Sequence, residues 1–99
     1  MTETYTSGTW LVKDGEDDAF VQAWTAFVEW ASEMPGSGVF RLVRDLDQPQ
    51  RYMSFAPWES FDAQQAWKAL PEFPERIGRV RQHCESFEPF TLELVTAVS

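Results

Sequence analysis

The sequence predicts an α+β fold of the ferredoxin-like type, in which two helices cover one face of a four-stranded antiparallel sheet. Three observations predict it. The predicted elements follow the order β-α-β-β-α-β, two segments carry apolar residues at helical spacing, and the turn between the two middle strands is short enough for a hairpin. With 99 residues, the chain is expected to form a single domain, residues 1–99.

The first third of the chain predicts a strand followed by a helix. Residues 4–13 are rich in threonine and aromatic side chains, which favour strands. Asp14 is expected to cap a helix over residues 16–33, whose first turn is acidic. This helix carries a single apolar stripe, made of Phe20, Trp24, Phe27, Val28 and Ala31. Pro35 and Gly36 are expected to end it.

The middle of the chain predicts a hairpin and a short helix. Residues 39–46 and 51–58 are expected to be strands, and the turn between them covers residues 47–50. Ser60 is expected to cap a helix over residues 61–70. Pro71 then interrupts the helical pattern.

The last third predicts a second helical piece over residues 72–84 and a final strand from Phe87 to Val98. One face of the helical piece carries Phe73, Ile77, Val80 and Cys84. One face of the strand carries Phe90, Leu92, Leu94 and Val98. Because the helices cover only one face of such a sheet, its other, apolar face is expected to pair with a second copy of the chain, which predicts a homodimer.

Composition and charge argue against several functional classes. The formal net charge of −8 disfavours nucleic acid and anionic membrane surfaces, both of which are bound through basic residues. No apolar run approaches the ~20 residues of a membrane span, and the N-terminus lacks the pattern of a signal peptide, so a cytoplasmic protein is expected. His83 and Cys84 are a single histidine and a single cysteine, too few for a zinc site. We expect no cofactor.

Several segments, taken in order, resemble one known family. They are the first strand ending at Lys13, "FVQAW" at 20–24, "PGSG" at 35–38, "RDLDQPQRY" at 44–52, Trp58, "AWKALPEF" at 66–73 and "EPFTLELV" at 88–95. Together they resemble the antibiotic biosynthesis monooxygenase (ABM) family of the dimeric α+β barrel group. The resemblance implies a cavity between the sheet and the second helical region. It does not specify the reaction, because one fold supports different functions.

One branch of this family oxidises phenolic aromatic polyketides such as anthrones with O₂, without metal or flavin. The resemblance implies that an Asn and a Trp, four residues apart at the end of the third strand, serve this reaction. Trp58 matches the Trp, and Ser54 stands at the Asn position. An Asn amide can donate to and accept from a phenol, whereas the Ser hydroxyl is shorter and offers one donor.

A second branch binds and degrades haem. The resemblance implies a site made of an Asn on the first strand, a Trp in the second helical region and an iron-ligating His ten residues later. Trp67 matches the Trp, but Ser7 stands near the Asn position and Ile77 at the His position. His83 lies six residues later, about 120° around the helix from Ile77. These departures place haem binding last among the functions considered.

Four residues are therefore candidates for a substrate pocket: Trp58, Trp67, Ser54 and Tyr52. Tyr52 alternates with Ser54 on one strand, so the two share a face. The two tryptophans either pack the core or line a cavity that stacks on a flat aromatic ligand. The first hypothesis is a cofactor-independent monooxygenase acting on a polycyclic phenol, with no catalytic base identified. The alternative is a non-catalytic homodimeric module that binds an aromatic small molecule.

Overall fold

The computed structural model describes residues 3–99, and this part of the chain forms four strands and three helices. The strands are β1 (Thr4–Val12), β2 (Arg41–Arg44), β3 (Arg51–Trp58) and β4 (Cys84–Glu93). The helices are α1 (Asp17–Ala31), α2 (Phe61–Lys68) and α3 (Phe73–Arg81). None of these helices is long and apolar enough to span a bilayer.

The sheet has the strand order β2-β3-β1-β4, and every neighbouring pair is antiparallel. This arrangement confirms the predicted ferredoxin-like fold. The central strand β1 alternates between buried and partly buried residues along its whole length. Its buried residues point to the inner face, which we define as the face that packs against the helices. Gly8 lies opposite Ser54 of β3 on one side and Pro89 of β4 on the other.

Helix α1 confirms the predicted apolar stripe, because Phe20, Trp24, Phe27 and Ala31 are all buried. The predicted cap at Asp14 is wrong. Glu16 occupies the N-cap position, and its side chain caps no backbone N–H. A turn containing Gly15, with φ of +82°, separates Asp14 from the helix. The Glu16 carboxylate instead lies 2.9 Å from Nδ1 of His83, so it joins the start of α1 to the turn between α3 and β4.

The predicted cap of α2 is confirmed, since the Ser60 hydroxyl accepts a hydrogen bond from the backbone N–H of Ala63 at 3.0 Å. The helical piece predicted over residues 72–84 ends earlier, at Arg81. Cys84 is buried as expected but begins β4 instead of lying on a helix. Its position is fixed by pairing with Val12, the last residue of β1.

The predicted final strand is wrong at both ends. It begins at Cys84 instead of Phe87, and it ends at Glu93 instead of Val98. Glu93 lies opposite Thr4, where β1 begins, and Leu94 still donates its backbone N–H to the carbonyl oxygen of Glu3 at 2.8 Å. Within residues 3–99, no strand lies opposite the residues after Leu94. Val98 is accordingly 94% exposed.

The core is an aromatic layer between the inner face and the helices. Trp67 of α2 lies at its centre, with its ring 4.9–6.3 Å from five other rings. These rings belong to Phe27, Trp30, Phe40, Trp58 and Phe73. Aromatic pairs at such distances stabilise a core beyond the area that they bury.

The opposite, outer face of the sheet is apolar and uncovered. Met53 and Phe55 of β3 are 42% and 36% exposed, and Phe90 and Leu92 of β4 are 40% and 46% exposed. These four residues, together with Val43 of β2, form what we call the outer apolar patch.

Candidate functional site

A cavity of about 380 Å³ lies between the inner face of the sheet and all three helices. Its volume falls in the range of sites that hold small organic ligands, about 300–1,000 Å³. The wall is mainly aromatic, with Trp10 from β1, Trp24 and Phe27 from α1, and Trp67 from α2. The resemblance implied a cavity between the sheet and the second helical region, and the observed cavity also borders α1.

One side of the cavity is built by Trp10 and Phe87, which lie opposite each other on β1 and β4. Their rings stack with centroids 4.0 Å apart and an interplanar angle of 27°. Gly8 makes room for this pair, because a Cβ at that position would lie 2.6 Å from Cε1 of Phe87. A glycine on the central strand is therefore required by close packing and not by a turn.

Trp67 and Trp58 occupy different layers. Trp67 lines the cavity, while Trp58 lies behind it in the core, 2% exposed. Trp58 Nε1 donates a hydrogen bond to the Thr6 hydroxyl at 3.0 Å, which fixes its ring to β1. Two roles were expected for these tryptophans. Trp58 packs the core, and Trp67 borders the cavity.

The indole N–H of Trp67 is buried and finds no acceptor among residues 3–99. The side-chain oxygen Oε1 of Gln64, one turn earlier on α2, is also buried without a partner in this part of the chain. The Gln64 Nε2 donates to the Thr4 hydroxyl at 3.0 Å. Helix α2 therefore carries one unpaired buried donor, on the cavity-lining Trp67, and one unpaired buried acceptor, on Gln64. Each such atom costs free energy.

Ser54 lines the cavity and is held by Trp10, whose Nε1 donates to the Ser54 hydroxyl oxygen at 3.0 Å. In this hydrogen bond Ser54 is the acceptor, and no bond donated by its hydroxyl is found within residues 3–99. A serine hydroxyl can accept and donate at the same time. Trp10 therefore orients Ser54 so that its O–H remains free for a ligand. Sequence reasoning missed this role of Trp10, because the partners lie 44 residues apart.

Tyr52 shares the inner face with Ser54, as expected, but does not line the cavity. Its hydroxyl donates to Asp17 at 2.7 Å and accepts from the Arg44 guanidinium at 2.6 Å. Burial, and then the hydrogen bond to Asp17, raise the pKa of Tyr52. The network ties β2 and β3 to the start of α1, so Tyr52 contributes a structural link.

Two cations, Lys68 of α2 and Arg81 of α3, line the cavity. The Lys68 ammonium donates to the Thr91 hydroxyl at 3.0 Å, and Arg81 lies over the Phe87 ring at 5.6 Å. Partial burial lowers the pKa of Lys68. The sequence alone did not single out Arg81 or Lys68, because only the packing of α2 and α3 brings them to one cavity.

Neither Ile77 nor His83 supplies an iron ligand to the cavity. Ile77, which the resemblance places at the histidine position of the haem-degrading branch, lines the cavity. His83 does not line it and lies against Glu16 instead. Within residues 3–99, no group of three His, Cys, Asp or Glu side chains is placed to hold a metal ion.

Solved structures share this fold over nearly the whole chain. The structure of a mutant of SnoaB, a cofactor-independent oxygenase from Streptomyces nogalater, matches with a TM-score of 0.86 at 19% identity, covering 97% of this chain and 96% of that one. Protein SO0527 from Shewanella oneidensis gives 0.81 at 20% identity, covering 97% and 94%. A candidate antibiotic biosynthesis monooxygenase from Deinococcus radiodurans gives 0.82 at 16%, covering 97% and 96%.

These identities establish the fold alone. No curated protein matches the sequence. The sequence does match the family described as "Antibiotic biosynthesis monooxygenase" over residues 6–77, which span β1 to α3 and therefore most of the cavity wall. The chain belongs to the antibiotic biosynthesis monooxygenase family.

Proposed function

We propose that the protein is a cofactor-independent monooxygenase that oxidises a polycyclic, anthrone-like phenol with O₂. The observation that carries this proposal is the aromatic cavity of about 380 Å³ with the oriented Ser54 hydroxyl in its wall. Family membership and the fold shared with SnoaB, itself a cofactor-independent oxygenase, support it.

In this reaction the ring methylene of the anthrone loses a proton, and the resulting anion passes one electron to O₂. The substrate radical and superoxide combine to a peroxide, which loses water and leaves a carbonyl, so that one O₂ gives one quinone oxygen and one water. The cavity would hold the flat ring against Trp10 and Trp67 and exclude water from the anion. The Ser54 hydroxyl would donate to the oxygen on which negative charge develops.

No carboxylate and no imidazole belongs to the cavity wall formed by the described residues. A substrate of this pocket must therefore be acidic enough to lose its proton without such a base. Anthrone-type phenols meet this requirement better than simple phenols, because their anion is delocalised over three rings.

The test is O₂ consumption by the purified protein with 1,8-dihydroxyanthrone, together with the visible absorbance of the quinone product. Heat-denatured protein sets the rate of spontaneous oxidation. We expect Ser54→Ala to lower the catalysed rate by about a hundred- to a thousandfold, since one donor to a developing anion contributes on this order. Arg79→Gln, on the outer surface of α3 where Arg79 pairs with Glu75, is the matched control and should keep the full rate. A rate no higher than that of the denatured protein would exclude the monooxygenase.

The second candidate is a non-catalytic module that binds an aromatic small molecule. The absence of a carboxylate or imidazole from the described cavity wall favours it. The two functions differ in one measurement: a binding module quenches its tryptophan fluorescence with an anthraquinone but does not accelerate O₂ consumption.

The proposal includes a homodimer formed through the outer apolar patch. Its five side chains would otherwise leave a large apolar surface in water. A two-fold axis through the sheet would bring the patch of one copy against that of the other, which is the usual form of a self-complementary interface.

A further inference from the structure

The cavity opens to solvent at β4, the edge strand of the sheet. Four of the described residues in the cavity wall are exposed, and one of them, Phe55, belongs to the outer apolar patch. The other three are Arg81 of α3 and Pro89 and Thr91 of β4. Exposure of the inner side of the wall is therefore confined to the place where the helices approach β4.

The register of the sheet explains why the opening lies there. Pro89 and Thr91 pair with Gly8 and Thr6 of β1, which line the same cavity but are buried. The cover that the helices give to the inner face therefore ends between β1 and β4. Within residues 3–99, β4 has a neighbouring strand on one side only. The gap along this edge is thus a direct route from solvent to the indoles of the wall.

Two side chains cross this opening. Lys68 of α2 extends to β4, where its ammonium donates to the Thr91 hydroxyl at 3.0 Å. Arg81 of α3 extends to the same strand, with its guanidinium carbon 5.6 Å from the centroid of the Phe87 ring. Phe87 and Thr91 lie on one face of β4, with Pro89 midway between them. At ~3.3 Å per residue, the two contacts are ~13 Å apart along the strand.

Both contacts are weak enough to break and form again. The hydrogen bond from Lys68 is exposed and has a neutral acceptor, and a cation over an aromatic ring at an exposed site contributes little. Within residues 3–99, neither cation lies within 4.0 Å of a carboxylate oxygen. Opening the gap therefore requires rotation of two side chains and no movement of the backbone.

We propose that Lys68 and Arg81 form a side-chain gate at the entrance of the cavity. The gate opens when the two side chains rotate away from β4, and it closes again over a bound ligand. It controls the rates at which a ligand enters and leaves, and it keeps water from the occupied cavity. The inference rests on the proposed function for the flat ring that occupies the cavity. It adds the route by which this ring reaches the Ser54 hydroxyl.

The experiment measures how fast a neutral ring, anthraquinone-2-carboxamide, associates with the protein and dissociates from it, by stopped-flow quenching of tryptophan fluorescence. Thr91→Val keeps the shape of the side chain but removes the acceptor for Lys68. We expect it to raise both rates by about fivefold, which is the order of one hydrogen bond between such groups. The dissociation constant, their ratio, should stay unchanged, because the contact exists with and without ligand.

Further variants separate the two contacts. Lys68→Met removes the same hydrogen bond from its other end and should give the same acceleration. Combined with Thr91→Val it should be no faster than either single variant, because all three lack the same bond. Arg81→Met removes the second contact, so its effect should add to that of Thr91→Val. Arg79→Met, on the same helix but outside the cavity wall, is the matched control and should keep both rates.

The outcomes distinguish the gate from the proposed function. Unchanged rates in Thr91→Val and Lys68→Met would overturn the gate and leave ring binding intact. A change in the dissociation rate alone would also overturn it, because the two side chains would then be ligand contacts. If Lys68→Met does not fold, as judged by its thermal unfolding, Thr91→Val gives the result, because Thr91 is an exposed residue.

Failure of the ring to quench the unmodified protein would contradict ring binding. The opening is then tested with acrylamide, a small neutral quencher that needs no binding site. We expect acrylamide to quench Thr91→Val and Lys68→Met more strongly than the unmodified protein, since it reaches the indoles of the cavity wall through the open gap. Equal quenching of all three proteins would overturn the gate.

Discussion

The indole rings of Trp58 and Trp67 stack with centroids 5.2 Å apart and planes inclined by 26°. Trp58 is tied to β1 through Thr6, and Trp67 comes from α2. The pair therefore joins the sheet to the helix that borders the cavity. It also gives the two tryptophans separate tasks, since only Trp67 has a surface on the cavity wall.

We expect Trp58→Phe to reduce the free energy of unfolding by about 2 kcal/mol, because it leaves a void and removes the hydrogen bond to the buried Thr6 hydroxyl. The affinity for an anthraquinone should change less than in Trp67→Phe, which alters the wall itself. Urea unfolding and fluorescence titration measure the two effects. A larger loss of affinity in the Trp58 variant would contradict the assigned layers.

Ser54→Ala should destabilise the protein by about 1–2 kcal/mol, because the N–H of Trp10 loses its acceptor inside the structure. Trp10→Phe combined with Ser54→Ala should cost less than the sum of the single changes, by about 1 kcal/mol. The coupling is measured by a double-mutant cycle from urea unfolding. Strict additivity would show that the hydrogen bond contributes nothing.

Gly8→Ala should destabilise the protein by about 1–3 kcal/mol, because the new methyl group meets the Phe87 ring and displaces it toward the cavity. The matched control is Gly78→Ala on α3, where the added Cβ would meet nothing within 4 Å beyond its chain neighbours and the backbone of its own helix. Since alanine favours a helix more than glycine does, the control should raise stability by roughly 0.5–1 kcal/mol. Thermal unfolding of the two variants should therefore shift in opposite directions.

Cys84 should resist alkylation in the folded protein. Burial raises the pKa of this thiol from 9.0 to about 11. At pH 9 the folded protein should then hold about fiftyfold less thiolate than the unfolded chain, and iodoacetamide should react correspondingly more slowly without urea than with it. Comparable rates with and without urea would contradict the buried position.

The same shift predicts how stability depends on pH. The thiol ionises more readily in the unfolded chain, so its contribution to stability is complete below pH 9 and is lost as the pH rises through about 11. Relative to Cys84→Ala, the unmodified protein should lose stability over this range. The difference between the two unfolding curves should be constant below pH 8.

Met53→Glu places a charge in the middle of the outer apolar patch, since Met53 pairs with Thr9 of β1 and Val43 of β2. We expect it to convert a dimer into a monomer, measured by light scattering on a gel-filtration column. Val21→Glu adds the same charge on α1, at an exposed apolar residue outside the sheet, and should leave the dimer intact. A monomeric unmodified protein would refute the proposed interface directly.

Elements with a strong local signal were predictable from the sequence. The stripe on α1 and the Ser60 cap lie within single segments, so periodicity and capping chemistry suffice to find them. The end of β4 was not predictable in this way. Residues 94–98 favour a strand by composition, but β4 stops at Glu93 because its partner strand begins at Thr4. A strand needs a partner, and partner length is a property of the whole sheet.

The sequence by itself determined the order of the elements, the ferredoxin-like fold and membership of the family, because these follow from local patterns and their spacing along the chain. Only the tertiary structure decided which tryptophan borders the cavity, that Tyr52 turns toward Asp17 and Arg44, and that Lys68 and Arg81 reach one cavity. These relationships join residues from separate elements. Their geometry depends on how the helices pack on the sheet, and the spacing of residues along the chain does not specify that packing.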